Sequence, residues 1–479
     1  MKRKFLQDIS VNSLQVLINQ FCGFIIFYVL SVHLGKEEFG AFNWSLAVLL
    51  TAFNILSGGM DQLVIKKIAS GNDASQIIST YLMHVFFAGI LFYVILFSGQ
   101  LIFHQPHHLL LLLGLGKCMI FISSPFKQLA TGLEKFRSLM LMSICSNVVR
   151  SLLLILLALF FHLELYWILI IFIIGDITEL ILCLIITRYN LKIPVVLQWN
   201  TKNYVTLIRE SFPQAGVVIF TSFIARFDWI LLGLIASNLI LAEYSFAYKV
   251  FEISTLPLLV IAPVLIPRFT RMFHSPHSIP PANILQRIFI LLRFEMIIAS
   301  LTILVLNICW IPVIDFISLG KYGMVNQINI LLLSASLPFL YFNNFLWTIN
   351  FSKGHLRRIF NIIGITCLIN VCGDIILIPF YKAEGAAAAF LISIAIQSYL
   401  YFRVTTIAEL KYHWYSLIIC PACAALSMII ALYLFKNVYL VLLMAVLSYF
   451  LSIVACRQIK KKDWHILKES WYIKGNLVT

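Results

Sequence analysis

The sequence predicts an all-α polytopic membrane protein with about 14 transmembrane helices. Three observations predict it. Of the 479 residues, 61% are hydrophobic and only 11% charged, with a mean hydropathy of +0.96, and no soluble core needs so much apolar sequence. The apolar residues also fall in runs near the ~20 residues that cross a bilayer. Finally, Lys and Arg are divided unequally between alternate connections, as they are in membrane proteins of fixed orientation.

In order along the chain, the first span is expected at 11–33. It follows the basic start Met1-Lys-Arg-Lys4 and lacks a small-residue cleavage site, so it reads as a retained helix rather than a signal peptide. Spans two to six are expected at 39–60, 77–103, 109–131, 139–161 and 166–187. The connection 189–210 places Trp199, Tyr204, Leu207 and Ile208 among Lys202 and Arg209, the composition of a helix lying in the interface. Spans seven to twelve follow at 212–236, 244–268, 287–310, 327–350, 359–380 and 385–407, and two more at 416–435 and 437–456. The longer spans imply tilt or frayed ends.

With the N-terminus placed in the cytoplasm, 26 of the 35 Lys and Arg fall in inside-facing segments and 4 in outside loops; the other five, Lys117, Arg150, Arg226, Lys249 and Arg293, lie within spans. This asymmetry puts both termini in the cytoplasm and calls for an even number of spans. It also explains the net charge of +15 as topology, so nucleic acid is not an expected partner. The longest outside loop is 311–326, which leaves no room for an extramembranous domain. Cys420-Pro-Ala-Cys423 has redox spacing but lies in an apolar run without the strand–helix context of that chemistry. His104-Gln-Pro-His107-His108 reads as an interfacial turn, and no helix carries metal-ligand spacing, so no metal or cofactor is expected.

Charge inside a span costs at least about 2.5–3.5 kcal/mol and marks candidate function. Arg226 and Asp228 sit midway along span seven, two residues and therefore about 200° apart. They face away from each other, and each needs a partner or a substrate on another helix. Lys249 and Glu252, three apart on span eight, share a face and can neutralise each other. Lys117 and Arg150 are deep basic residues of spans four and five, whereas Arg293 lies near a cytoplasmic end, from which it can snorkel. Asp176 and Glu179 share a face of span six, so either one is protonated or both meet a cation, for which Arg150 is the nearest candidate in sequence. Asp374 follows Asn370 by one turn on span eleven. Two readings of the acids stand side by side: a static Arg150–Asp176–Glu179 network, and ion coupling through Asp228, Asp176, Glu179 and Asp374. Trp44, Tyr81, Tyr93, Trp229, Tyr341 and Trp347 are available to stack on sugar rings or to serve as belt and core.

Several stretches carry a family resemblance. They are Leu34-Gly-Lys-Glu-Glu-Phe-Gly-Ala-Phe42, Gly132-Leu-Glu-Lys-Phe-Arg137, Arg226-Phe-Asp228-Trp-Ile-Leu-Leu-Gly233 with Ala242-Glu-Tyr-Ser-Phe-Ala-Tyr-Lys249, Leu319-Gly-Lys-Tyr322, and Asn370 to Pro379 followed by Gly385-Ala-Ala-Ala-Ala389. In order and spacing they resemble the polysaccharide flippases of the multidrug/oligosaccharidyl-lipid/polysaccharide exporter superfamily. Spans thirteen and fourteen depart from the many members that stop at twelve.

The resemblance implies two six-helix lobes around a central cavity open alternately to each side. The lobes are expected at 1–187 and 212–410, with a cytoplasmic linker at 188–211 and, at 411–479, two additional helices and a basic tail. Those two helices hold no acidic residue and are expected outside the lobes, as an apolar flank for an isoprenoid tail. The implied substrate is an undecaprenyl-diphosphate-linked glycan, moved to the outer leaflet of a bacterial inner membrane by a transporter rather than an enzyme. Membrane lipids and a polysaccharide polymerase are the implied partners. Arg226 matches the family's Arg-x-Asp stretch, and Arg226, Arg150, Lys117 and Lys249 are the candidate substrate cations. A lipid II flippase, a small-molecule exporter and a membrane polymerase or ligase are the alternatives. The exporter predicts a cavity poor in cations, and the polymerase needs longer outside loops.

Overall fold

The computed structural model describes residues 2–71, 73–103, 108–161, 163–194, 200–258, 269, 282–405 and 414–459. The described residues contain helices and no strand. In the first half these are α1 (Lys2–His33), α2 (Lys36–Leu56), α3 (Met60–Ala69), α4 (Ala74–Phe103), α5 (His108–Gly132), α6 (Phe136–Phe160), α7 (Leu165–Ile186), α8 (Thr201–Leu231) and α9 (Asn238–Ser254). In the second half they are α10 (Ala282–Ser318), α11 (Gln327–Ala335), α12 (Leu337–Ser352), α13 (Leu356–Val404), α14 (Tyr415–Leu434) and α15 (Val438–Ala455). Twelve stretches among the described residues are long and apolar enough to cross a membrane.

One of the twelve is two spans in a hairpin. α13 is 49 residues long, and its helical backbone is interrupted at Lys382, with φ 50 and ψ −123. A Cβ on Gly385 would meet the Leu377 carbonyl, and one on Gly373 would meet Ala389, so the strand of chain after Lys382 runs back antiparallel along the one before it. The small residues of Gly385-Ala-Ala-Ala-Ala389 let the two backbones approach. Spans eleven and twelve thus meet at a tight turn. The eighth expected span begins in α9, but its second half lies outside the described residues, as do most of the His104–His108 turn, Lys411 and the basic tail after 459. The outward faces carry large exposed apolar side chains such as Leu159, Phe212, Phe316 and Tyr433, which suits lipid as the surrounding solvent.

The chain packs as two compact units, Met1–Ser245 and Phe246–Thr479. In the first, α5 is central and touches α2, α3, α4, α6 and α7, while α1 lies on α6 and α8 lies on α2, α3 and α4. Gly58 and Gly59 break the chain between α2 and α3 with φ of 58 and 68, values that cost a side chain energy. Gly59 also abuts the α8 backbone at Gln214 and Ala215, where a Cβ has no room. The break places Asp61 in the first turn of α3, where a carboxylate suits the helix dipole.

Of the connection expected at 188–211, residues 201–211 form the first turns of α8, and 195–199 lie outside the described residues. Asn200 caps this helix through its side chain, 3.2 Å from the Asn203 amide, and the helix runs unbroken through Pro213 to Leu231. Its early turns are tied to neighbours by Lys67–Glu210 at 2.8 Å and by His84 and the Tyr204 hydroxyl at 3.1 Å.

In the second unit α10 is central and touches α11, α12, α14 and α15; α13 packs on α11 and α12. The last two helices therefore lie on the ninth expected span. Tyr449 of α15 donates to the Ile297 carbonyl of α10 at 2.9 Å. Arg293, expected to snorkel, is buried and donates to the Gln458 carbonyl at 3.3 Å. The chain following α15 supplies a carbonyl partner to its head.

Candidate functional site

Asp176 and Glu179, three residues apart on α7, face α5 and α6, and both meet cations. The Asp176 carboxylate lies 3.3 Å from Lys117 Nζ of α5 and also accepts the guanidinium of Arg150 on α6. Glu179 lies 2.7 Å from Lys127 Nζ and accepts hydrogen bonds from the hydroxyls of Ser123, at 3.2 Å, and Ser146. Arg150 also donates to Asn147 at 3.2 Å, and Asn147 to Asn19 of α1 at 3.1 Å.

These charges are deeply enclosed: Lys117 is 7% exposed, Arg150 5%, Asp176 1% and Glu179 3%. Such burial is tolerable only because each charge is paired. Two glycines make the room. A Cβ on Gly116 would collide with the Asp176 carboxylate, and one on Gly175 with the Arg150 side chain. The Phe172 ring adds a polarizable face, 5.7 Å from Lys117 Nζ and 5.1 Å from the Arg150 guanidinium carbon. Lys117, Lys127 and Arg150 thus meet Asp176 and Glu179 in direct ion pairs, and the carboxylate of Asp61 lies on the wall of the adjoining cavity.

The expected static network is therefore present in modified form. Arg150 pairs with Asp176, but Glu179 is held by Lys127, which the charge-bias argument had counted as a cytoplasmic topology residue. A cavity of about 160 Å³ adjoins the network, with Lys117, Lys127, Asp61, Asn54, Phe53 and Phe121 in its wall. Asp61 was also absent from the sequence reading. Its signal was available: an acid immediately after Gly58-Gly59 inside an otherwise apolar segment.

The other candidates lie elsewhere. Arg226 on α8 is half-buried, with its guanidinium 4.4 Å from the ring centre of Trp229, a cation–π distance. Asp228 finds its partner on another helix: the Tyr244 hydroxyl of α9 donates to it at 2.6 Å, and its own neighbour's amide, Trp229 N–H, at 2.8 Å. Lys249 and Glu252 form the i,i+3 ion pair their spacing allows, at 2.7 Å. Asp374 is fully buried on α13, one turn from the buried Asn370. Among the described residues no three His, Cys, Asp or Glu side chains come together to hold a metal.

Residues 5–273 match the family described as polysaccharide biosynthesis protein. No curated sequence relative is matched. Among solved structures, the chain is similar to the lipid II flippase MurJ in an inward closed conformation, at 16% identity over 93% of this chain and 98% of that one, with a TM-score of 0.73. An inward-facing multidrug resistance MATE family transporter of the MOP superfamily matches at 11% identity over 82% and 96% of the two chains, with a TM-score of 0.63. A MOP superfamily transporter from Pyrococcus furiosus, described by a binding pocket of reversed polarity, matches at 11% identity over 83% and 94%, with a TM-score of 0.58. At these identities the likeness is one of fold.

Proposed function

The chain belongs to the polysaccharide biosynthesis protein family, and from that premise we propose that it is a flippase for an undecaprenyl-diphosphate-linked oligosaccharide, moved between leaflets of a bacterial inner membrane. The fold is that of a flippase or transporter and the protein is multi-pass. The observation that carries the finer reading is the cluster of three cations, Lys117, Lys127 and Arg150, packed within the membrane helices around Asp176 and Glu179. A lipid diphosphate is at least a dianion, and hydrocarbon offers it no compensation. Fixed ammonium and guanidinium groups supply that compensation, guanidinium in the paired planar geometry that phosphate oxygens accept. Lys117 and Arg150 can exchange part of their contact with Asp176 for contact with phosphate, without either charge becoming unpaired.

In this reading Arg226 is a second phosphate contact, its guanidinium resting over the Trp229 ring. Lys249 is a further candidate substrate cation, and Asp228, Asp176, Glu179 and Asp374 are the acids through which an ion is coupled. Both termini are cytoplasmic, and the substrate is delivered to an outward-acting polysaccharide polymerase. The last two helices flank the path of the isoprenoid tail.

A second reading is a lipid II flippase, favoured by the likeness to MurJ along 93% of the chain. One experiment separates the two. The gene is tested for rescue of a strain lacking its surface-polysaccharide flippase and, separately, of a strain depleted of its lipid II flippase. Rescue of the first alone is expected; rescue of the second alone would replace the proposal. In the same assay Arg226→Ala is expected to reduce polysaccharide export about 10- to 100-fold, the value of one or two charge-assisted hydrogen bonds. Arg226→Lys should fall between it and the parent, with membrane protein level held. Normal export by Arg226→Ala at ordinary abundance would remove Arg226 from the substrate path.

A further inference from the structure

The cavity beside the charge network holds a carboxylate that the network does not use. Asp61 Oδ1 accepts three hydrogen bonds, from the Tyr81 hydroxyl at 2.7 Å, the Ser124 hydroxyl at 2.9 Å and the Gln128 amide at 2.9 Å. Tyr81 is fully buried, so at least one of these donors cannot turn to other partners. The three donors come from two other helices, α4 and α5, and fix the carboxylate plane. Among the described residues no donor reaches Oδ2, and Asp61 lines the cavity.

A carboxylate fixed by neutral donors on one oxygen and set in the wall of a cavity is a preorganised acceptor. Its ligand must donate. A phosphate is excluded at this point because it has only acceptors to offer a carboxylate. A metal ion or ammonium group is disfavoured because Lys117 and Lys127 border the same cavity. A neutral hydroxyl satisfies both conditions. The remaining wall suits the body of a sugar: Phe53 and Phe121 stand 5.0 Å apart, tilted by 38°, and offer apolar surface to ring C–H groups, while Asn54 supplies a further polar group. The cavity, at about 160 Å³, is well below the roughly 300–1,000 Å³ of a pocket for a drug-sized ligand. It takes one ring and not a repeat unit.

We propose that this cavity binds a single sugar ring of the lipid-linked glycan, the ring adjoining the diphosphate, with Asp61 accepting from a ring hydroxyl. The assignment to that ring follows from the two lysines, which bring positive charge to the edge of the same cavity. This inference rests on the flippase reading above and adds to it a residue that discriminates between substrates.

The test compares two probes binding to the purified full-length protein in detergent: a bare polyprenyl diphosphate, and the same lipid carrying one hexose. The protein is expected to bind the hexosyl lipid about tenfold more tightly, the value of a hydrogen bond to a charged acceptor. In Asp61→Asn the cavity-facing acceptor becomes a donor while an acceptor remains for Tyr81, Ser124 and Gln128, and the preference should shrink to about twofold or less. Tyr81→Phe, which keeps the carboxylate but loosens it, should reduce the preference by about half, and it carries the test alone if Asp61→Asn does not fold. Equal affinity of the parent protein for both lipids, or a preference undiminished in the variants, overturns the inference and leaves the flippase reading standing. Failure of the parent to bind either lipid overturns both.

Discussion

The two units solve the same problem, polar side chains among membrane helices, in different ways. In the first, charged groups pair between helices: the buried Lys117 and Arg150 with Asp176, the partly exposed Lys127 with the buried Glu179, and, nearer the surface, Lys36 with Glu243 at 2.6 Å. In the second, neutral amides and hydroxyls bond largely to backbone carbonyls. Asn343 donates to the Ile394 carbonyl at 3.1 Å and to Gln397 at 2.9 Å, and Asn350 donates to the Leu346 carbonyl at 2.9 Å. Neutral hydrogen bonds between membrane helices contribute about 0.6 kcal/mol on average and strand no charge in hydrocarbon. Helices can therefore be held together without ions. The first unit nonetheless buries four charges in one cluster, Lys117, Arg150, Asp176 and Glu179, with the partly exposed Lys127 at its edge. Two acids of the second unit, Glu295 and Asp374, stand apart from this contrast. Both are buried, and Glu295 Oε2 meets no hydrogen-bond donor among the described residues.

The contrast can be broken most forcefully at Asp176. Asp176→Asn leaves Lys117 and Arg150 without their shared anion, a loss expected to destabilise the protein by about 3–5 kcal/mol and to deplete it from the membrane. Adding Lys117→Met should recover part of that stability, because it removes one of the stranded cations. Thermal unfolding in detergent and membrane abundance are the measurements; unchanged values for the single variant would show that the network is not tightly paired.

A smaller effect is expected in the second unit. Asn343→Ala removes two neutral hydrogen bonds and should cost about 1 kcal/mol, lowering the unfolding midpoint slightly while leaving abundance intact. A loss as large as that at Asp176 would erase the distinction between the units.

The smallest effect is expected at Lys249, whose side chain and that of Glu252 are 19% and 32% exposed. Lys249→Met should change stability by less than about 0.5 kcal/mol. Export measured alongside then sharpens the comparison: a loss of export without a loss of stability identifies Lys249 as a substrate contact, and unchanged export leaves it an ion pair.

The sequence by itself determined the fold class and nearly every span, because crossing a bilayer demands runs of apolar residues that need no tertiary information to recognise. It also determined that Asp176 and Glu179 share a face and that Lys249 can reach Glu252, since these relations depend only on the 3.6-residue period of one helix. What it left open was which helix each face meets. Asp176 and Lys117 are 59 residues apart, and Glu179 and Lys127 are 52; their pairing depends on the depth and rotation of α5 against α7, which no local period encodes. Lys127 counts among the inside-facing cations of the charge asymmetry because a cation near the end of an apolar run has the same appearance whether it snorkels or turns inward, and α5 continues past it to Gly132. Arg293 is expected to reach water for the same reason, whereas the chain after α15 supplies a carbonyl partner to its head. Asp61 became visible as a cavity residue only once the Gly58–Gly59 break, pressed against the backbone of α8, had set the direction of α3. The bilayer writes its length requirement into each span separately, whereas the meeting of two buried charges is a property of pairs of helices, and only packing decides it.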